Sequence, residues 1–182
     1  MQALREPGVQ GRSAWERFES LYRSSRDDVY AYVISLVRDA AAAEDVTALA
    51  FERAYRRRRT FDRRRGEERA WLFGIARNAA LDELRRRQRV AGLVFDPAGD
   101  TDTDGPLSII DQDDDEVILR RTTVRAALSE LSGRDRELIA LKFHAGLTNA
   151  ELARVLGISE SNAGTLLHRT IQKLRKACNA PA

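Results

Sequence analysis

The sequence predicts an all-α fold: two small helical domains joined by a flexible acidic linker. Three observations carry that prediction. Apolar residues recur at intervals of three, four or seven along most of the chain, the period of an amphipathic helix and not of a strand. Charge is partitioned: residues 1–95 carry twenty basic and fourteen acidic side chains, residues 120–182 carry eleven and five, and residues 96–119 carry nine acidic ones without a Lys or Arg. That middle stretch also contains Pro97, Gly99, Gly105 and Pro106 and has no period over 96–104, the composition of a connector. The domains expected are 13–92 and 120–178, with a linker over 93–119.

The first helix is expected over 13–37. Trp15, Phe18, Leu21, Tyr22, Val29, Val33, Leu36 and Val37 form its apolar stripe, and the adjacent Ser24 and Ser25 mark a place where it could break. A second helix over 41–57 turns Val46, Leu49, Ala50, Ala54 and Tyr55 inward. Residues 58–68 are charged, contain Gly66 and have Phe61 as their one large apolar group, so they read as a loop. From Arg69 a third helix buries Trp71, Leu72, Ile75, Ala76, Ala79 and Leu84, leaves Arg77, Arg85 and Arg86 outside, and places Asn78 as a polar residue toward the interior.

The acidic stretch of the linker, residues 96–119, could extend to about 80 Å, while a relaxed coil of that length averages about 27 Å. Its apolar island, Leu107, Ile109 and Ile110, has no docking place that the sequence specifies. Beyond it a helix is expected over 117–131. Ser132 then caps the next one, with Asp135 at the spacing of a capping box, and Gly146 ends it. Thr148 caps 149–156, Gly157 makes the turn, and Ser159 or Ser161 starts a last helix running to about Ala177.

Composition excludes several functions. The net charge is +3 and the cysteine count is one, Cys178, which cannot form an internal disulfide. With only His144 and His168 besides, no metal-ligand spacing exists, and neither a cofactor nor catalysis is expected. The carboxylates of 111–116 are a repelling run without His, Cys or a glycine-rich phosphate loop beside them. The sequence shows no leader-like apolar segment near its first residues and no run long enough to span a bilayer, so a cytoplasmic protein without membrane insertion is expected.

Two constellations point to nucleic acid. Residues 56–89 hold thirteen arginines, with Phe61, Trp71 and Phe73 between the clusters; arginine neutralises phosphate, and aromatic faces can stack on unpaired bases. Residues 149–169 have the small residues of a helix-turn-helix: Ala153 where two helices meet, Gly157 at the turn, and Ile158, Ala163 and Leu167 packing beneath. The second helix of that pair presents Ser161, Asn162, Thr165, Arg169 and Lys173, short polar groups first and bases after them, as helices that read a major groove do.

With these motifs in view, the chain resembles the extracytoplasmic-function sigma factors of bacterial RNA polymerase, in the sigma-70 family. Residues 18–87 are similar to region 2 through "RDDVYAYVISLVRD", "AEDVTALAFERAYR", "FDRRRG" and "RAWLFGIARNAALDELRRR". Residues 126–175 are similar to region 4 through "ALSELSGRDRELIALKF", "GLTNAELARVLGIS" and "LLHRTIQKLR". The resemblance implies a subunit that binds core RNA polymerase through its largest-subunit clamp and its flap, directs it to promoter DNA and helps open the strands. Asp45, Val46, Leu49, Glu52 and Arg53 would then face the polymerase, with ordinary core as the other reading for Val46 and Leu49.

By the same resemblance, Arg57, Arg58, Phe61, Arg63, Arg64, Trp71, Arg77, Asn78, Arg85 and Arg86 would meet the minus 10 element. Phe61 could equally anchor its loop, and Trp71 could equally be core. Ser161, Asn162, Thr165, Leu166, Arg169 and Lys173 would meet the minus 35 element. An acidic linker fits a path inside the polymerase cleft, or a plain spacer, and an anti-sigma protein is a further partner the family allows. Ala48 and Leu49, Glu67 and Glu68, and Gly164 and Leu166 depart from the family's usual residues, so base preference and polymerase contacts should differ there. The competing function is a freestanding helix-turn-helix regulator, which leaves the arginine block unexplained.

Overall fold

The computed structural model describes the backbone of residues 9–62, 64, 66–90 and 115–179, and their side chains except at 9–14 and 115–121. Among the described residues there are seven α-helices: α1 (Val9–Val37), α2 (Ala40–Arg57), α3 (Glu68–Val90), α4 (Asp115–Ser129), α5 (Gly133–Phe143), α6 (Asn149–Leu156) and α7 (Glu160–Cys178), with a 3₁₀ turn at Arg58–Thr60 after α2. Helices α1, α2 and α3 pack on one another as one bundle, and α4, α5 and α6 gather around α7 as a second. The predicted apolar island at Leu107, Ile109 and Ile110 lies outside the described residues, as does Arg63. The helix expected from 117 begins two residues earlier, at Asp115, inside the stretch assigned to the linker.

The core of the first bundle follows the apolar stripes. Val29, Tyr32, Val33, Leu72 and Phe73 are buried, and the Tyr32 and Phe73 rings meet edge to face at 5.6 Å. Each such side chain removed from water contributes about 1.5–3 kcal/mol. Helix α1 runs unbroken through Ser24 and Ser25. Ser24 Oγ donates back to the Leu21 carbonyl of the same helix, and Ser25 is buried where Arg69 donates to its Oγ, so both hydroxyls are satisfied without interrupting the helix. Arg38, with φ of 53°, ends α1 in the left-handed region. Asp39 then starts α2 by accepting from the Ala42 N–H at 2.8 Å, which reverses the chain within two residues.

Capping also shapes the second bundle. Ser132 Oγ accepts from the Asp135 N–H, but the Asp135 carboxylate turns to Thr170 and Lys173 on α7, so the expected box is one-sided. The reciprocal box is at Thr148 and Glu151, where each side chain accepts from the other's backbone. Gly157 has φ of 69° and ψ of 34°, a conformation that costs a residue with a Cβ about 1–2 kcal/mol, and Ser159 is the cap of α7.

The two bundles share one continuous apolar cluster, in which Leu138, Leu141, Ala145, Leu147 and Leu152 join the residues of α1 to α3. Helix α5 lies on α1 and α6 on α3. Nothing local in the sequence announces this contact.

Candidate nucleic-acid interface

The helix-turn-helix is the more regular of the two candidate surfaces. A three-residue turn, Gly157 to Ser159, joins α6 to α7, and the Ile158 N–H reaches the Ala153 carbonyl at 2.9 Å. Ala163, Leu167 and Thr170 are buried on the inner face of α7. Ser161, Asn162, Thr165 and Arg169 consequently lie on its exposed face, with the Thr165 hydroxyl donating to the Ser161 carbonyl at 3.0 Å. Their distribution is that of a groove-reading helix: short polar groups at the N-terminal end, where the helix dipole favours anions.

Two of the predicted groove residues are placed differently. Leu166 is half-buried and packs on the core, so it supports α7 from within. Lys173 spends its ammonium on Asp135, 2.6 Å away. Burial opposes the charge on Asp135, but hydrogen bonds from Lys173, Thr170 and Ser132 outweigh it and hold the carboxyl below its usual range. That triad clamps α5 to α7 and sets the angle at which the exposed face is offered.

On the first bundle, Arg57, Arg64, Asn78, Arg85 and Arg86 are exposed. Asn78, expected to point inward, faces outward because Ile75, Ala76 and Ala79 already fill the inner face of α3. Arg85 lies 3.7 Å from Asp82, a loose pairing that leaves its guanidinium available. Arg86 is gripped by Glu83 through Nε at 2.7 Å and Nη2 at 2.8 Å. Arg86, against a desolvation cost and with help from Arg87, lowers the Glu83 carboxyl to about 2. Arg87 continues to Asp39 at 3.5 Å and to the Val37 carbonyl, pinning the end of α3 to the α1–α2 corner.

The remaining predicted members are drawn into contacts of their own. Arg58 lies over the Tyr55 ring at 3.8 Å and donates to the Tyr55 carbonyl. Phe61 and Trp71 pack on each other, 5.4 Å between centroids, so each is half-covered by its partner, while Phe73 is core. Arg77 donates through Nε to Glu137 at 2.7 Å, and with 23% of its side chain exposed it is not the outward arginine that the period implied. Glu67 and Glu68 stand at the start of α3, where acidic groups complement the positive end of a helix.

Of the five residues read as polymerase-facing, Asp45 and Glu52 are exposed and Leu49 is half-buried. Val46 belongs to the bundle core, the second of the two readings its position allowed, and its side chain is withdrawn from any outside partner. Arg53 is tied to Asp82 on α3 at 3.1 Å.

Sequence reasoning missed Arg69 and Glu137. Arg69 donates to Asp28, Ser25 and the Ser24 carbonyl on α1, and to the His144 and Ala145 carbonyls just after α5. Glu137 accepts from Arg77 and from the Tyr32 hydroxyl. Burial, with the Glu137 charge beside it, pushes the Tyr32 phenol well above its usual range, so it serves as a neutral donor. The partners lie 41 to 105 residues apart in sequence, and no spacing rule could have paired them.

Residues 21–90 match the family Sigma-70 region 2, and residues 121–174 match Sigma-70, region 4. The chain is 32% identical to the ECF RNA polymerase sigma factor SigL of Mycobacterium tuberculosis, over 92% of this chain and 93% of that one. It is also 32% identical to the ECF RNA polymerase sigma factor SigX of Bacillus subtilis, over 88% of this chain and 83% of that one. Among solved structures, its fold is similar to the sigma factor RpoE in complex with the anti-sigma factor NepR from Bartonella quintana: TM-score 0.67, 20% identity, 92% of this chain and 99% of that one. It is likewise similar to CnrH in complex with the cytosolic domain of CnrY, with TM-score 0.63, 24% identity, and 96% and 92% of the two chains.

Proposed function

The chain belongs to the extracytoplasmic-function sigma factors of the sigma-70 family, and from that premise we propose how its residues divide the work of promoter recognition. It is a promoter-directing sigma factor and not a freestanding helix-turn-helix regulator. Sigma factors are initiation factors, and we assign no reaction of its own to this one.

In our reading, Arg57, Arg64, Arg85 and Arg86, with Arg63 beside them in sequence, neutralise phosphates around the minus 10 element, and Asn78 offers an amide to an unpaired base. Phe61 and Trp71 act as a paired apolar wall for that strand and not as two free stacking rings, which their mutual contact supports. Ser161, Asn162, Thr165 and Arg169 enter the major groove at minus 35, held there by Leu166 and the Asp135–Lys173 clamp. Asp45, Leu49 and Glu52 present α2 to the polymerase clamp, and the flap is the natural seat for the second bundle. The observation that carries this division is the presence of two exposed basic or polar faces on separate bundles within one chain.

Core polymerase reconstituted with the full chain should yield defined transcripts from promoter-bearing host DNA. If the transcripts matched those of core alone, the reading would fail. We also propose an anti-sigma protein as a regulatory partner, since the RpoE relative in fold was solved with one, and place the chain with the polymerase in the cytoplasm. Among the described residues no helix is long and apolar enough to cross a membrane.

A further inference from the structure

Two positions of α7 depart from the family's usual residues, Gly164 and Leu166, and the structure treats them differently. Leu166 packs on the core. Gly164 lies in the second turn of the helix with an ordinary helical backbone, where glycine is the poorest helix former after proline. A Cβ built there would meet one neighbour only, the side-chain amide nitrogen of Asn149, at 3.5 Å, which is ordinary van der Waals contact. Packing within the chain therefore does not require the missing side chain.

Asn149 stands beside the gap. It is the first residue of α6 and half-buried, and its amide touches the place where a side chain on Gly164 would begin. Thr148 and Glu151 cap α6 between themselves, so Asn149 is not needed for the cap. Among the described residues its side chain has no hydrogen-bond partner. Ser161 and His168, the neighbours of Gly164 one turn away on either side, are both exposed. An unpaired carboxamide from α6 thus lies on the same stretch of α7 that carries the exposed polar groups.

We propose that Asn149 is a specificity-determining residue of the minus 35 contact: its carboxamide, admitted over α7 by the gap at Gly164, reads an adenine in the major groove. This rests on the reading of α7 as the helix that enters that groove. The chemistry selects the base. A carboxamide sets a donor and an acceptor side by side, the complement of adenine N7 and the N6 amino group. It carries no charge, so counterion release gives it no general hold on phosphate. Glycine at 164 lets the base edge come close to the helix backbone, which a Cβ would obstruct.

The test uses the full chain reconstituted with core polymerase, selecting transcribed templates from a promoter library randomised at minus 35. The unmodified chain should enrich adenine at one position. Asn149→Ala should lower that preference about tenfold, within the worth of one bidentate pair, and leave the other positions as they were. Asn149→Asp should move the preference toward cytosine, whose N4 amino group donates to a carboxylate, while adenine N7 repels one. An acidic residue is favourable in the first turn of a helix, so this variant keeps the test sound if the alanine variant fails to fold. Gly164→Ala should raise the thermal midpoint, because alanine is the better helix former, and yet weaken the adenine preference at the same position. Circular dichroism checks that each variant retains its helices.

A loss spread evenly over all minus 35 sequences in Asn149→Ala marks a phosphate or packing contact and overturns the proposal. An Asn149→Asp profile identical to that of the unmodified chain does so too, as does a more stable Gly164→Ala chain with its preference intact. If the unmodified holoenzyme enriches no minus 35 sequence, the reading of α7 fails and this inference with it. Enrichment that the Asn149 variants leave unchanged removes the inference alone.

Discussion

Glu83 and Asp135 are the two carboxylates on which local geometry depends most. Glu83 is held at about 2 against an ordinary value near 4.5. A lowered folded-state value stabilises the fold above the unfolded value, and that contribution is lost as pH falls from about 4.5 toward 2. Converted in full the shift would be about 3 kcal/mol. Arg86 and Arg87 are 63% and 35% exposed, so solvent screening leaves about 1–2 kcal/mol. Glu83→Gln should therefore lose about that much stability at pH 7 and show a flatter denaturation midpoint between pH 5 and pH 2.5 or so, measured by urea unfolding. For Asp135, removal of the Thr170 hydroxyl in Thr170→Val takes away one buried hydrogen bond, and a loss of about 1 kcal/mol in the same assay is expected. An arginine's place in the sequence says little at this scale: Arg85 and Arg86 are exposed as the helical period implies, while Arg77, on the same helix, is claimed by a glutamate 60 residues away.

At the level of single elements, the helices are set by caps and periods that the sequence displays. Thr148 and Gly157 bound α6 as their residue types imply, and each can be tested. Thr148→Ala should cost about 1 kcal/mol by loss of the cap, and Gly157→Ala about 1–2 kcal/mol because its φ is positive. Both would appear as a lowered thermal midpoint of the second bundle, with α7 still helical by circular dichroism. The element that defied its local signal is α1. Two adjacent serines would weaken an isolated helix, but Arg69 supplies the partner for Ser25 and the buried Val29, Tyr32 and Val33 anchor the next turns. Burial of one face outweighs the modest propensity cost of serine. On the site, Val46 follows its stripe: the period turns it inward, and its burial in the bundle core decides for the core reading over the polymerase-facing one.

For the whole molecule, electrostatics gives the clearest forecast. Each phosphate contact contributes about 0.7 to the slope of log K against log salt on a single strand. Arg64→Ala with Arg85→Ala should then lower that slope by about 1.4 for an oligonucleotide carrying the minus 10 strand. An unchanged slope would remove both from the contact set. The sequence by itself determined the helical class, the helix ends, the helix-turn-helix and the basic character of both modules. These depend on spacings of three to seven residues and on side chains that act on their own backbone, so they can be read without knowing what lies opposite. Only the tertiary structure decided which arginines face outward, that Val46 and Leu166 are packing residues, and that the two bundles close on Arg69, Arg77 and Glu137. Those outcomes depend on desolvated charges and apolar faces finding partners far along the chain, a choice made by the burial of whole helices together.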